Sequence, residues 1–244
     1  EDVLEDEDTP PRTDKDLAKA ENTLGNHYDG IALVLSGPER ARPLLQKAWR
    51  ASEKDDERLV YAHTLGILGD ATGAETLAAE VAQRPWDEGW SFTGMGQFGF
   101  SMSLLDTLIV ALGRTRATAA LPPILDKMRT LDASSAFSHH RAVAMALETL
   151  GAAEAAPALE AQLEKPDMAG FAATDAADAL DDARPENPNA TRDRSLRELI
   201  LARALFRCGD PNGIGESILR EYAASVYGHY AQHATAVLSE EKQK

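Results

Sequence analysis

Cysteine, positive charge and long apolar runs are all scarce in this chain of 244 residues. Its single cysteine, Cys208, excludes an intrachain disulfide and a cysteine-based zinc cluster. No apolar run approaches the roughly 20 residues of a membrane-spanning helix. The chain starts at Glu1 and has neither a basic segment nor a hydrophobic signal core. We therefore expect a processed product or a piece of a longer protein, in a compartment that the sequence leaves open, the periplasm and the exterior included.

The shortage of positive charge also bears on partners. Lysine and arginine number 25 against 40 aspartates and glutamates, which gives a formal net charge of −15. Binding to a phosphate backbone depends on clustered cations that release counterions, so we expect no nucleic-acid partner and no anionic membrane surface. The hydrophobic content of 43% is ample for a buried core.

A period-two strand pattern is also missing, and almost everything after the N-terminal tail has apolar residues at spacings of three and four. Residues 1–16 combine eight acidic residues with Pro10 and Pro11, a composition typical of a flexible acidic tail or linker. The chain is therefore divided into this tail, a helical domain over residues 17–238 and a charged tail over residues 239–244.

Five glycines each follow one apolar helical pattern and precede another. They are Gly37, Gly69, Gly113, Gly151 and Gly209. At each we expect a helix C-cap in the left-handed conformation, because glycine adopts it at little cost. The repeated unit is a helical hairpin, and its spacing is that of HEAT-type repeats. We therefore predict an all-α fold, an α-solenoid of about five HEAT-like hairpins (an α/α superhelix).

Two histidine pairs are candidate site residues. His229 and His233 lie four apart, the spacing at which two imidazoles on one helix face can share a metal, but no third ligand is identifiable. They are weak metal candidates, and packing or hydrogen bonding is the alternative. His139 and His140 follow Ser138, a plausible N-cap, and adjacent helical residues point in different directions. At most one of them can face a given binding site, and the alternative is one buried and one solvated histidine.

The helical pattern near residue 200 has residues that suggest structural roles. Ser195 and Glu198 have the spacing of a capping box at a helix start. We expect Arg197, Arg203 and Arg207 to bridge neighbouring repeats through carboxylates, and Arg197 is also a candidate binding residue.

Signs of catalysis are few. No serine lies in a G-x-S-x-G context, and a lone thiol next to a helix-ending glycine is more often buried filler than a nucleophile. The stretch GMGQFG lacks the preceding strand that a dinucleotide fingerprint needs. We predict no catalytic residue and no cofactor in this chain.

Five aromatic residues and four glycines are concentrated in residues 86–103, an insertion between two hairpins. Flat rings supply large contact areas at low entropic cost, as in protein interfaces and sugar-stacking platforms. Three interpretations stay open: a docking surface for a protein, internal packing between repeats, or a carbohydrate or small-molecule site. The candidate binding residues are Trp86, Trp90, Phe92, Gln97, Phe98 and Phe100.

Four long segments together carry a family resemblance. They are WDEGWSFTGMGQFGFSMSLLDTLIVALGRT, FSHHRAVAMALETLG, RDRSLRELILARALFRCGD and GHYAQHA. In this order they resemble the C-terminal HEAT-like helical-repeat region of FAD-dependent oxidoreductases from planctomycete-type bacteria. The resemblance implies a partner domain or fragment whose redox chemistry lies in a separate Rossmann-type flavin domain. It transfers no cofactor and no catalytic residue to this chain, which lacks the strand and glycine fingerprint of that domain.

The sequence therefore predicts a non-catalytic interaction or scaffolding domain that is part or partner of a larger FAD-dependent oxidoreductase. The expected contact is a protein partner or a covalently linked domain. A carbohydrate or small-molecule binding module is the alternative. A second alternative is a lyase or isomerase of helical-repeat type, which would require convergence of Tyr61 and His63 with His139 or His140.

Overall fold

The computed structural model describes residues 37–92, 102–177, 179 and 188–240, which are helical and contain no strand. The prediction of an all-α fold is confirmed for this part of the chain. The acidic tail over residues 1–16 lies outside it. The α-helices described there are α1 Pro38–Ala51, α2 Asp55–Ile67, α3 Ala74–Gln83, α4 Leu104–Arg114, α5 Leu121–Arg129, α6 Phe137–Leu150, α7 Ala156–Leu163, α8 Pro188–Arg207, α9 Ile214–Ala223 and α10 Gly228–Glu240.

The helices pack in two rows, and within each row they follow their order along the chain. Helices α2, α4, α6 and α8 pack side by side in one row, and α3, α5 and α7 pack in a second row against them. Helix α1 packs on α2 at one end, and α9 and α10 continue from α8 at the other. Each helix thus contacts mainly its neighbours in the two rows.

The apolar pattern of α4 shows why these residues form a buried helix. Leu105, Leu108, Ile109 and Leu112 have spacings of i, i+3, i+4 and i+7, and each is at most 1% exposed. Burying each of these side chains contributes about 1.5–3 kcal/mol. Helix α4 consequently lies at the centre of the hydrophobic core, between α2 and α6.

The glycine prediction is confirmed at three positions and wrong at two. Gly69, Gly151 and Gly209 end helices with positive φ angles of 73°, 60° and 103°. Gly37 instead precedes α1 with an extended φ of −150°. Gly113 lies inside α4, where its role is steric.

Close approach between helices explains Gly113. A Cβ atom at this position would lie 2.5 Å from the Cα of Ala146 on α6, a distance that real Cβ atoms do not show. Gly66 on α2 has a similar role, since its Cβ would lie 2.8 Å from the carbonyl oxygen of Ala111 on α4. Glycine therefore allows consecutive helices of the first row to approach backbone to backbone.

Candidate functional site

Residues 86–92, which we call the docked segment, follow α3 and lie against α6 and α8. The backbone N–H of Trp90 donates to Ser138 Oγ at 2.9 Å, and the N–H of Ser138 donates to the carbonyl of Trp90 at 2.8 Å. Further along, the N–H of Phe92 donates to Asp193 Oδ1 on α8 at 2.8 Å. These hydrogen bonds hold the first part of the aromatic insertion in a defined position.

The rings of the docked segment pack inward and stay half-buried. Trp86 stacks on His139 with ring centroids 4.3 Å apart, and Phe92 contacts Phe137 at 5.4 Å and Trp90 at 4.5 Å. The docked segment therefore combines internal packing with partly exposed aromatic surface. Gln97, Phe98 and Phe100, the other predicted binding residues of the insertion, lie outside the described part of the chain.

Two arginine side chains of α8 lie against aromatic rings in this region. The guanidinium carbon of Arg192 lies 4.0 Å from the centroid of the Phe92 ring, and that of Arg194 lies 5.2 Å from the Phe171 ring. Such cation–π contacts contribute about 0.5–1 kcal/mol at exposed sites. The exposed side chain of Arg192 thus covers part of the docked segment.

A buried carboxylate, Asp106, holds the helices beneath the docked segment together. It forms a capping box with Ser103 at the start of α4. Its Oδ2 accepts hydrogen bonds from the Ser103 N–H at 2.9 Å and from Ser138 Oγ at 2.6 Å, and its Oδ1 lies 2.7 Å from His139 Nδ1. Burial alone would raise the pKa of Asp106. The hydrogen bonds from His139, Ser138 and Ser103 outweigh that effect and hold the pKa below its ordinary value of 3.8.

Both histidines of the pair on α6 are buried, at 5% and 0% exposure, so the interpretation with one solvated histidine is wrong. His140 Nε2 lies 3.0 Å from the carbonyl oxygen of Asp132, to which it donates. Burial, assisted by the charge of Arg197, lowers the pKa of His140 to about 3, so this imidazole is neutral. Ser138 lies inside the helix after Ala136, so the prediction that it is the N-cap is also wrong.

Arg197 joins two loops through backbone carbonyls. Its Nη1 donates to Ala133 at 2.9 Å and its Nη2 donates to Asp167 at 2.7 Å. The predicted bridging through carboxylates is confirmed for Arg203 and Arg207, which both bind Glu148 on α6. It is wrong for Arg197, whose hydrogen-bond partners among the described residues are backbone carbonyl oxygens.

The predicted capping box on α8 is wrong. Ser195 lies well inside α8, which begins at Pro188, and Glu198 binds outside its own helix. The carboxylate of Glu198 accepts from the N–H groups of Gly170 and Phe171 at 2.7 and 2.9 Å. It also accepts from the hydroxyl of Tyr222 at 2.8 Å, so Glu198 positions the loop that follows α7.

The two histidines of α10 contact other protein side chains. His233 Nε2 lies 3.2 Å from Arg203 Nη1, so a guanidinium occupies one of the two ring nitrogens through which a histidine can bind a metal ion. His229 is exposed and contacts the rings of Tyr227 and Tyr230. Within the described ranges there is no group of three or more potential metal ligands.

Cys208 has the environment of an inert thiol. It is 2% exposed, its Sγ lies 3.5 Å from the carbonyl oxygen of Leu147, and burial raises its pKa to about 11. A thiol with this pKa is almost entirely protonated at neutral pH and is a poor nucleophile.

A pocket of 240 Å³ opens beside the docked segment. Its lining joins the docked segment, the turn before α6 and one face of α8. The lining residues are Ser91, Ala133, Ser134, Ser135, Phe137, Ala190, Asp193, Arg194 and Arg197. Of the predicted binding residues, Arg197 contributes directly to this pocket.

Comparisons of the chain with protein-family models, with curated proteins and with solved structures found no match. None of the helices in the described ranges is long and apolar enough to cross a membrane.

Proposed function

We propose that this chain is a non-catalytic protein-interaction domain, an α-solenoid of about five HEAT-like hairpins that is part or partner of a larger FAD-dependent oxidoreductase. The packing order supports the solenoid, because two rows of helices in which each contacts mainly its neighbours are typical of stacked helical repeats. The partner assignment depends on the sequence resemblance alone.

The observation that carries the proposal is the fixed, half-exposed aromatic surface of the docked segment. Its backbone is hydrogen-bonded to both Ser138 and Asp193, so its rings are ordered before any partner arrives. Preorganisation reduces the entropy that binding would otherwise cost. Tryptophan and arginine are the residue types enriched among the residues that dominate binding energy at interfaces, and Trp90 and Arg192 both contact the Phe92 ring here.

The side chains that a helical-repeat enzyme would need lie on separate helices. His139 binds Asp106, the neutral His140 binds a carbonyl, and Tyr61 and His63 lie on α2. Helix α4 lies between α2 and α6, so the two sets are on different members of the row. The lyase or isomerase alternative therefore has little support from the geometry.

A carbohydrate site is less well supported than a protein interface. Stacking a sugar requires an open ring face, but Trp86 stacks on His139 and Trp90 contacts both Phe92 and Phe137. The aromatic surface of the docked segment also lies beside the exposed guanidinium of Arg192. Aromatic rings next to an arginine are typical of protein interfaces.

Site-specific photo-crosslinking tests the proposal. A benzoylphenylalanine replaces Trp90 in one sample and the exposed Glu75 of α3 in a control sample, and both are irradiated in cells that produce the chain. We expect one protein to crosslink at position 90 and not at position 75. We expect this protein to show flavin absorbance when it is purified.

The purified partner is then titrated with variants of the chain. Trp90→Ala and Arg192→Ala should each weaken binding at least 30-fold, the effect of losing about 2 kcal/mol. The control Arg129→Ala, at an exposed arginine of α5, should bind like the wild type. Equal crosslinking at both positions, or unchanged affinity of Trp90→Ala with its helical content intact, would refute the interaction surface. A specific partner without flavin would refute the oxidoreductase assignment.

A further inference from the structure

The pocket beside the docked segment contains an uneven set of charges. Arg194 and Arg197 lie three residues apart on α8 and therefore on one helix face. Asp193 is the acidic residue in the lining. Its Oδ1 already accepts the hydrogen bond from the Phe92 N–H. Two guanidinium groups and one carboxylate thus line the pocket, while Asp167 and Asp132 add negative charge near Arg197.

Both arginines keep an unused hydrogen-bond donor. Arg197 is only 4% exposed, and its Nε has no hydrogen-bond partner among the described residues. The same holds for the buried Nε of Arg194. Leaving a buried polar group unsatisfied costs about 1–3 kcal/mol, and more for charged groups. Both guanidinium groups, which line the pocket, are thus incompletely hydrogen-bonded.

Ser91 of the docked segment supplies a neutral donor. Ser91 Oγ accepts the hydrogen bond of the Phe137 N–H at 3.0 Å, and its own hydroxyl proton donates to none of the described residues. By contrast, Ser134 and Ser135 both donate to Asp132 Oδ1, at 2.6 and 3.3 Å, and are already engaged. The available donors are therefore two arginines of α8 and one hydroxyl of the docked segment.

The size of the pocket limits what can enter. The pocket measures 240 Å³. Pockets for drug-sized ligands and cofactors begin at roughly 300 Å³. The space thus suits one side chain better than a flavin or a nucleotide.

We propose that this pocket binds the carboxylate of a glutamate or aspartate side chain presented by the partner protein. A carboxylate offers about four acceptor sites and pairs with arginine in a planar geometry. Asp193 disfavours a dianion such as phosphate more strongly than a monoanion. The inference depends on the proposed interaction function, for which it specifies the chemistry of the partner.

Arginine Nε–H signals in ¹⁵N-correlated NMR spectra give a direct test on the intact chain. The probes are glutamate with blocked amino and carboxyl termini, the equally blocked glutamine, and inorganic phosphate. We expect blocked glutamate to shift the Nε–H signals of Arg194 and Arg197 with a Kd on the order of 1 mM. Blocked glutamine should leave them unchanged, and phosphate should bind more weakly than glutamate.

Variants separate pocket binding from general charge effects. Arg194→Gln should weaken glutamate binding at least tenfold, whereas Arg129→Gln, the same change on exposed α5, should leave it unchanged. Ala190→Leu fills the pocket and keeps both arginines, so it should also abolish the shifts. It provides a test even if replacing Arg197, which holds two loops, prevents folding. Equal shifts with glutamine, tighter binding of phosphate, or normal binding by Ala190→Leu would each overturn the proposal.

The two proposals can fail separately. If the crosslinked partner requires Trp90 but binds Arg194→Gln and Ala190→Leu as it binds the wild type, the interaction surface stands and the carboxylate pocket is wrong. If the blocked glutamate binds but no partner depends on Trp90 or Arg192, the pocket is a site for free small acids and the interaction function is wrong.

Discussion

Replacing Asp106 with alanine should be among the most destabilising single changes in this protein. The carboxylate is fully buried and accepts hydrogen bonds from the Ser103 N–H, the Ser138 hydroxyl and His139. Hydrogen bonds to charged groups contribute about 1.5–3 kcal/mol each, and removing the carboxylate leaves its buried donors unpaired. Because the donors share one carboxylate, their contributions are not additive. We expect the free energy of unfolding to fall by about 3–5 kcal/mol.

Urea denaturation followed by circular dichroism at pH 7 measures this loss. Asp126→Ala is the matched control, since Asp126 is exposed on α5 and pairs only with Arg129 among the described residues. The control should change stability by less than about 0.5 kcal/mol. A loss for Asp106→Ala within about 1 kcal/mol of the control would refute the assignment of Asp106 as the anchor beneath the docked segment.

Acid titration checks the same assignment through the direction of the pKa shift of Asp106. The pKa of Asp106 is lower in the folded protein than its ordinary value of 3.8. Its stabilising contribution is therefore complete above the unfolded pKa and is lost as the pH falls through the folded pKa. The difference in unfolding free energy between wild type and Asp106→Ala should shrink below about pH 4. A difference that instead grows in acid would contradict the direction of the shift.

Two further predictions concern packing and reactivity. Gly113→Ala should lower the free energy of unfolding by about 1–3 kcal/mol, because the new methyl group would overlap the backbone of α6. Gly228→Ala, where a Cβ meets no atom within 4 Å, is the control and should not be destabilised in the same urea titration. Cys208 should resist a thiol reagent such as iodoacetamide at pH 7 in the folded protein and react only after unfolding, since burial raises its pKa to about 11. Rapid alkylation without loss of helical content would contradict this burial.

The helical fold was predictable because its signals are local. The i, i+3, i+4, i+7 pattern of α4 and the helix-ending glycines at 69, 151 and 209 depend on residues close together in the chain. Gly113 misled the prediction because a glycine that permits close helix packing and one that ends a helix are identical in sequence. Only the position of Ala146 on the neighbouring helix distinguishes them.

The candidate site was predictable in part. Trp86, Trp90, Phe92, His139 and Arg197 were all singled out, and the structure places them at the docked segment or beside the pocket.

Asp106 was missed, although Ser103 and Asp106 form a genuine serine-x-x-acid capping signal. The same pattern at Ser195 and Glu198 does not mark a helix start, because α8 begins at Pro188. A capping pattern is local, whereas the start of α8 and the loop that Glu198 binds are set by tertiary contacts.

The glycine and alanine contacts at Gly66–Ala111 and Gly113–Ala146 have a mechanical consequence. Neither residue type has a side-chain rotamer to change, so these two junctions cannot relax by repacking when a force is applied. Helices α2, α4 and α6 should therefore move as one stiff block. The docked segment is bound to α6 through Ser138. A force applied to this segment would therefore be transmitted through the block to α2, at the end of the row, with little deformation of the helices between.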